Sequence, residues 1–363
     1  MALLGQSLYP SLGVAEAAQH LQQAQRQGCR HLFTSLHLPE ASADDWASLQ
    51  QLLKQAAAQG MRVTADVSPL AFERFGATPD NIEPLLALGI HALRLDYGFT
   101  LQEMQAIARH DGVSLVINAS TVSEKQLAEW QENGLPLANV TAIHNFYPRP
   151  ETGLSLDFYR KKSRLCRAYG LRVGSFLPAH RVPRGPVFAG LPSVEAHRYT
   201  PTAVAVAELL ADGLTDIVYF GDPAPGKSEW EAAAQVAAGV IPLRVEWSAD
   251  VPPAARQLME QTHVQRSDVS GCVVRSETSR TYAQANGLQI KPFHAAARPK
   301  GTVTIDNETY GRYAGELQIA RTDLPADSRV NVVGRVVAAD RPLLSFIGPN
   351  TSFVFATEGE GDA

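Results

Sequence analysis

The chain has 363 residues, 45% hydrophobic and 19% charged, which argues against wholesale disorder and allows one large domain plus a smaller one. With 32 basic and 37 acidic residues the net charge is −5, so no basic excess exists to hold a nucleic-acid backbone, and no run of about 18 apolar residues predicts a membrane span. Three distant cysteines, Cys29, Cys166 and Cys272, form neither a disulfide framework nor a metal-ligand spacing.

The start, Met1-Ala-Leu-Leu-Gly-Gln-Ser, lacks a charged segment followed by an apolar run, so the expectation is no secretory signal and a cytoplasmic location. Strands are predicted at Ala2–Tyr9, His31–Leu36, Arg62–Val67, Ala92–Asp96, Val113–Ala119, Val140–Asn145, Leu171–Phe176 and Asp216–Phe220. Each precedes a helical pattern: Val14–Gln27, Asp44–Gln59, Asp80–Leu88, Leu101–His110, Ser123–Asn133, Leu156–Tyr169, Pro201–Asp212 and Ser228–Ala238. Eight strand–helix units in about 240 residues is the count of a (β/α)8 TIM barrel, an α/β fold. The runner-up is a doubly wound sheet, which suits fewer units, and no G-x-G-x-x-G follows the first strand. From Pro242 onward helical periodicity fades. Short strands at Gly271–Ser276, Thr302–Asp306, Glu316–Ala320, Arg329–Val337 and Ser352–Phe355, with one helix near Pro253–Gln261, read as a small β-barrel. The expected domains are therefore 1–240 and 241–363, with a frayed tail at Thr357–Ala363.

Barrel enzymes build their sites at the C-terminal strand ends. There the sequence sets Gln6, Ser7 and Tyr9, then Asp66, Asp96, Asn118, His144 with Asn145, and Asp222. The loop after the seventh strand carries Glu195, His197 and Arg198. One such residue merely caps a helix; five or six on one rim point to a catalytic cleft. Paired carboxylates suit glycoside hydrolysis, one protonating the leaving oxygen and the other attacking or activating water. The same residue types also ligate metals, but no H-x-H or H-E-x-x-H occurs, so no metal and no cofactor is expected. The loop Gly221–Lys227 lacks P-loop spacing, yet its place after the eighth strand suits a phosphate. In the C-terminal part Asn307, Tyr310, Arg312 and Tyr313 crowd one loop, offering a guanidinium fork for an anion and aromatic faces for a sugar, or else a domain-interface plug.

The segments Leu93-Arg-Leu-Asp96-Tyr-Gly-Phe99, Asn118-Ala-Ser-Thr121, His144–Arg149 with Thr152-Gly-Leu154, Gly190–Arg198 and Asp306–Leu317 resemble the bacterial 6-phospho-N-acetylmuramidase family over nearly the whole chain. Ser193 stands where the family pattern leads one to expect Thr. The resemblance implies a (β/α)8 barrel followed by a cyclophilin-like β-barrel. It also implies cleavage of the β-1,4 bond of 6-phospho-N-acetylmuramyl-N-acetylglucosamine, a phosphorylated amino-sugar disaccharide of cell-wall recycling. Such a substrate carries a phosphate and a carboxylate, and Arg94, Arg149, Arg181, Arg184, Arg198 and Arg312 are candidate cations for them. The acid–base pair is expected among Asp66, Asp96 and Glu195, with Glu195 as acid and Asp96 as base or nucleophile; attack by the substrate's own acetamido oxygen is the other route. Alternatives are another phosphosugar-processing barrel enzyme, which as an aldolase would need a strand-end lysine not found here, or a non-catalytic sugar-phosphate sensor. A homodimer is the default assembly.

Overall fold

The computed structural model describes residues 2–9, 13–36, 42–95 and 97–356. They form two compact units, Met1–Ala234 and Gln235–Ala363. The predicted tail Thr357–Ala363 and the strand-end residue Asp96 lie outside the described residues.

The first unit is a closed parallel barrel of eight strands in sequential order: β1 (Leu3–Ser7), β2 (His31–Ser35), β3 (Arg62–Val67), β4 (Ile90–Leu95), β5 (Ser114–Asn118), β6 (Thr141–Ile143), β7 (Arg172–Leu177) and β8 (Ile217–Phe220). β1 pairs with both β2 and β8, which closes the ring. The helices α1 (Val14–Arg26), α2 (Ala43–Ala58), α3 (Pro69–Phe75), α4 (Glu83–Leu86), α5 (Leu101–Ala108), α6 (Glu124–Glu132), α7 (Leu156–Ala168), α8 (Thr202–Leu210) and α9 (Lys227–Ala237) alternate with them. Capping boxes at Ser42, Thr100 and Ser123 start α2, α5 and α6, each side chain taking an amide hydrogen that the first turn leaves unpaired. After β3 the sequence predicts one helix over Asp80–Leu88, whereas the chain forms two short ones. Pro69 opens α3 and Gly76, at φ 67°, closes it before α4 begins.

Alternation along the strands sends one set of side chains into the barrel. Phe33, Val116, Ile143, Phe176, Ile217 and Tyr219 fill its middle as one apolar layer. Gly5 on β1 leaves the space that the Tyr219 ring occupies, and a methyl group there would collide with that ring.

The second unit is a mixed seven-stranded sheet in the order β10-β15-β9-β14-β12-β13-β11. Its members are β9 (Val240–Trp247), β10 (His263–Val264), β11 (Val273–Arg275), β12 (Thr302–Asp306), β13 (Leu317–Ala320), β14 (Val330–Val336) and β15 (Ser352–Ala356), with helices α10 (Pro253–Met259) and α11 (Ser279–Ala285). Among the described residues of this unit, β15 and β9 form the one parallel strand pair. A bridge between Gln265 and Ser276, just past the two edge strands, nearly closes the sheet. β9 occupies the stretch where helical periodicity fades, and Pro242 within it hides the strand from a pattern reading.

Candidate active site

On the inner face at the C-terminal mouth, β3, β4 and β5 supply Asp66, Arg94 and Asn118, and Asn145 follows β6. They form one chain of contacts. Arg94 Nη1 donates to Asp66 Oδ1 at 2.7 Å. Arg94 Nη2 donates to Asn145 Oδ1, which also takes a hydrogen from Asn118 Nδ2 at 3.0 Å. The Arg94 side chain is 4% exposed and that of Asp66 18%. A guanidinium so deeply set against a carboxylate fixes the direction in which the Asp66 oxygens face. At the end of β1, Gln6 Oε1, Ser7 Oγ and Tyr9 OH are buried and, among the described residues, make no hydrogen bond outside this group. Unsatisfied buried polar atoms of this kind at a barrel mouth have a ligand or water to meet. The Arg184 guanidinium lies 3.8 Å from the centre of the Tyr9 ring and roofs it.

Glu195 and Arg198 begin and extend a short 3-10 helix, Glu195–Tyr199, in the loop between β7 and α8. Their side chains face each other in a two-pronged pair, Arg198 Nε to Oε1 and Nη2 to Oε2, each 2.7 Å. The same carboxylate accepts the amides of Glu151 at 2.8 Å and Gly153 at 2.7 Å. Arg198 spends its remaining hydrogens on the carbonyls of Ala189, Gly190, Tyr147 and Arg149. Gly153 is needed for this approach, since a Cβ there would fall 2.6 Å from Glu195 Oε2. The Arg198 hydrogen bonds, with the two amides, hold the Glu195 carboxyl down at about 2. Such a group has no proton to give near neutrality, so its geometry suits a loop clamp and conflicts with the general-acid role expected from sequence.

A depressed carboxyl stabilises the fold only where the unfolded chain would be ionised. The clamp therefore contributes fully above roughly pH 4.3, the unfolded value, and is lost as pH falls from there towards about 2. Urea midpoints of the native protein and Glu195→Gln are expected to differ most at pH 6, by about half as much at pH 3, and to converge only below about pH 2.

Parity separates two neighbours that the sequence presents together. Asn145 faces the barrel, whereas His144 faces outward between Ser120 Oγ at 3.2 Å and Ser163 Oγ of α7 at 3.0 Å. Burial pushes His144 down to about 3, so it is a neutral core histidine away from the mouth. His197 is likewise fully buried and bonds Glu208 of α8 at 2.9 Å. Asp222, also fully buried, accepts the amides of Ala179, Arg184 and Leu191 and so ties down the loop after β7. Burial raises its carboxyl to about 6 despite those three donors. These three therefore support the rim from behind, against the expectation that they touch ligand. In the loop Gly221–Lys227 the Gly226 amide is taken, donating to Glu229 at the start of α9.

Arg149 and Arg181 stay exposed on rim loops. Rim segments also present three aromatics not singled out in sequence, Tyr97 after β4 and Phe188 and Tyr199 after β7, at 51, 68 and 79% exposure. Phe188 holds a left-handed φ of 56°, a strained state that tends to accompany binding loops. Among the described residues no three His, Cys, Asp or Glu side chains are grouped to hold a metal ion, and no helix is long and apolar enough to cross a membrane.

In the second unit, the loop after β12 does gather its predicted residues. Tyr310 and Tyr313 meet edge to face at 5.7 Å, Arg329 covers Tyr310, and Arg312 lies over Tyr313 and donates to its hydroxyl. Asn307 is fully buried beneath them, donating to Ser328 O and Asn331 Oδ1 while accepting from Thr309, so it shapes the loop and is closed to ligand. In the same unit, burial and the nearby Glu316 push Asp306 up to about 7.

Residues 4–235 match the family model described as 6-phospho-N-acetylmuramidase, N-terminal, and residues 241–356 match its C-terminal counterpart. A solved structure of a conserved Enterococcus faecalis protein of unknown function is 35% identical with a TM-score of 0.83, over 99% of this chain and 97% of that one. An uncharacterized B. cereus protein is 26% identical with a TM-score of 0.80, over 98% of this chain and 99% of that one. No curated protein matches the chain.

Proposed function

The chain belongs to the 6-phospho-N-acetylmuramidase family, a glycosidase family by name, and from that premise we propose that it hydrolyses 6-phospho-N-acetylmuramyl-N-acetylglucosamine in cell-wall recycling. Water is added across the β-1,4 bond, giving N-acetylmuramic acid 6-phosphate and N-acetylglucosamine. The observation that carries this reading is the inward chain of Asp66, Arg94, Asn145 and Asn118 at the catalytic mouth.

In this reading Asp66, held in place by Arg94, is the carboxylate beside the anomeric centre. It either attacks that carbon or orients the acetamido group that does. Asp96, two residues beyond Arg94 in sequence, supplies the second carboxyl on sequence grounds alone. Glu195 and Arg198 hold the loop that shapes the cleft. Asn118 and Asn145 hydrogen-bond the sugar, Tyr9 closes the floor, and Tyr97, Phe188 and Tyr199 offer faces for the rings. Arg149, Arg181 and Arg184 draw the phosphate and the lactyl carboxylate into a protein of negative net charge. Arg312 with Tyr310 and Tyr313 forms a second patch of the same chemistry on the C-terminal unit.

Purified protein is expected to cleave the 6-phosphorylated disaccharide and to leave the unphosphorylated one intact, with mass spectrometry detecting the two product masses. Equal cleavage of both would remove the phosphate from the recognition scheme. Cleavage of neither would return the site to another phosphosugar reaction or to a sensor.

A further inference from the structure

The barrel has a second mouth. At the N-terminal strand ends lies a cavity of about 350 Å³, lined by His31, Arg62, His91, Ser114, Thr141 and Arg172 among others. The alternation that sets Asp66 at the catalytic mouth sets Arg62 at this one, since Arg62, Thr64 and Asp66 share a face of β3. The apolar layer of Phe33, Val116, Ile143, Phe176 and their neighbours lies between the two mouths, so a molecule held here does not reach Asp66.

The charge of the cavity is one-sided. Two arginines and two histidines line it, and no Asp or Glu does. Among the described residues neither Arg62 nor Arg172 makes an ion pair, whereas Arg167, at the same end, is matched by Asp216 at 3.0 Å. Both unopposed guanidiniums act on His31, which burial and their charge push down to about 4, leaving a neutral ring able to donate or accept. His91 Nδ1 accepts the Val63 amide at 3.3 Å, so its Nε2 keeps the hydrogen and is a donor. Ser114 and Thr141 add hydroxyls.

We propose that this N-terminal mouth is a second ligand site, which binds a small oxyanion of the phosphate or phosphate-monoester class between Arg62 and Arg172. Guanidinium forks take tetrahedral oxyanions through paired N–H bonds, and two of them facing one cavity without a counter-charge lack only the anion. The volume lies near the lower end of small-molecule pockets, roughly 300–1,000 Å³. A compact monoester or inorganic phosphate fits it. The site stands apart from the glycosidase reading, because none of its residues belongs to the catalytic mouth.

The test locates the anion directly. Crystals of the full chain soaked in selenate are expected to show an anomalous peak within hydrogen-bond reach of both Arg62 and Arg172. In parallel, inorganic phosphate is expected to raise the unfolding temperature of the native protein beyond what sodium chloride does at equal ionic strength. Arg62→Gln/Arg172→Gln loses part of that rise, the remainder belonging to the catalytic mouth, and cleaves the disaccharide with unchanged kcat and KM. An empty mouth in the anomalous map, a peak at the other mouth alone, or a phosphate response equal in the native and double-variant proteins overturns the proposal. So does a response that chloride reproduces, since that is screening of two like charges and not binding.

Discussion

Arg198→Ala is expected to lower the stability of the barrel by about 3 kcal/mol, the low end of the cost of breaking a buried ion pair, because the Glu195 side chain is 30% exposed. Arg198 is 1% exposed and bonds both oxygens of Glu195 and four backbone carbonyls. Alanine leaves a clamped carboxylate facing its lost cation, and the carbonyls of Tyr147, Arg149, Ala189 and Gly190 lose a donor. Lysine restores little, because one ammonium cannot span two carboxylate oxygens and carbonyls from two loops. Urea denaturation read by far-UV circular dichroism measures the loss. The companion variant, Glu195→Gln, separates the two roles. A clamp predicts that it cleaves substrate within about tenfold of the native rate at a temperature where it is folded. A general acid predicts a loss of about 10²–10⁴. The larger loss, with the fold intact, would return Glu195 to the chemistry.

The barrel was legible because parallel strands covered on both faces read as apolar runs between helix signals, and Arg62–Val67 is recovered to the residue. What the pattern could not supply was phase. His144 and Asn145 stand side by side in sequence, yet only the inner register of the closed ring decides that Asn145 meets the cleft and His144 meets Ser163. Long-range partners were equally hidden. Glu195 reads as an acid on a loop until Glu151 and Gly153, more than 40 residues earlier, donate their amides to it. One local signal was present, since Glu195 and Arg198 lie three apart, a spacing that brings charges together on a helical turn. Asp222 shows the same limit, because its three amide donors come from the loop 179–191 folding back over β8.

Asp66→Asn carries the other large effect, a fall in kcat of about 10²–10⁴ with KM changed only a few-fold. The amide preserves the shape of the side chain and an oxygen for Arg94, so the contacts to Asn145 and Asn118 have reason to persist. What disappears is the negative charge, and that charge is needed most as positive charge builds on the anomeric carbon. A purely structural role for Asp66 predicts something else. Activity would then fall only in proportion to the unfolded fraction, and folded Asp66→Asn would turn over normally. Rescue distinguishes the two catalytic roles. In Asp66→Ala a small anion such as azide can occupy the vacated space. If Asp66 is the nucleophile, azide attacks the anomeric carbon in its place and releases a glycosyl azide of inverted configuration. If the acetamido oxygen is the nucleophile and Asp66 orients it, any azide product forms by opening of the intramolecular intermediate and keeps the substrate's configuration. The anomer of that product therefore assigns the bond that Asp66 makes, or shows that it makes none.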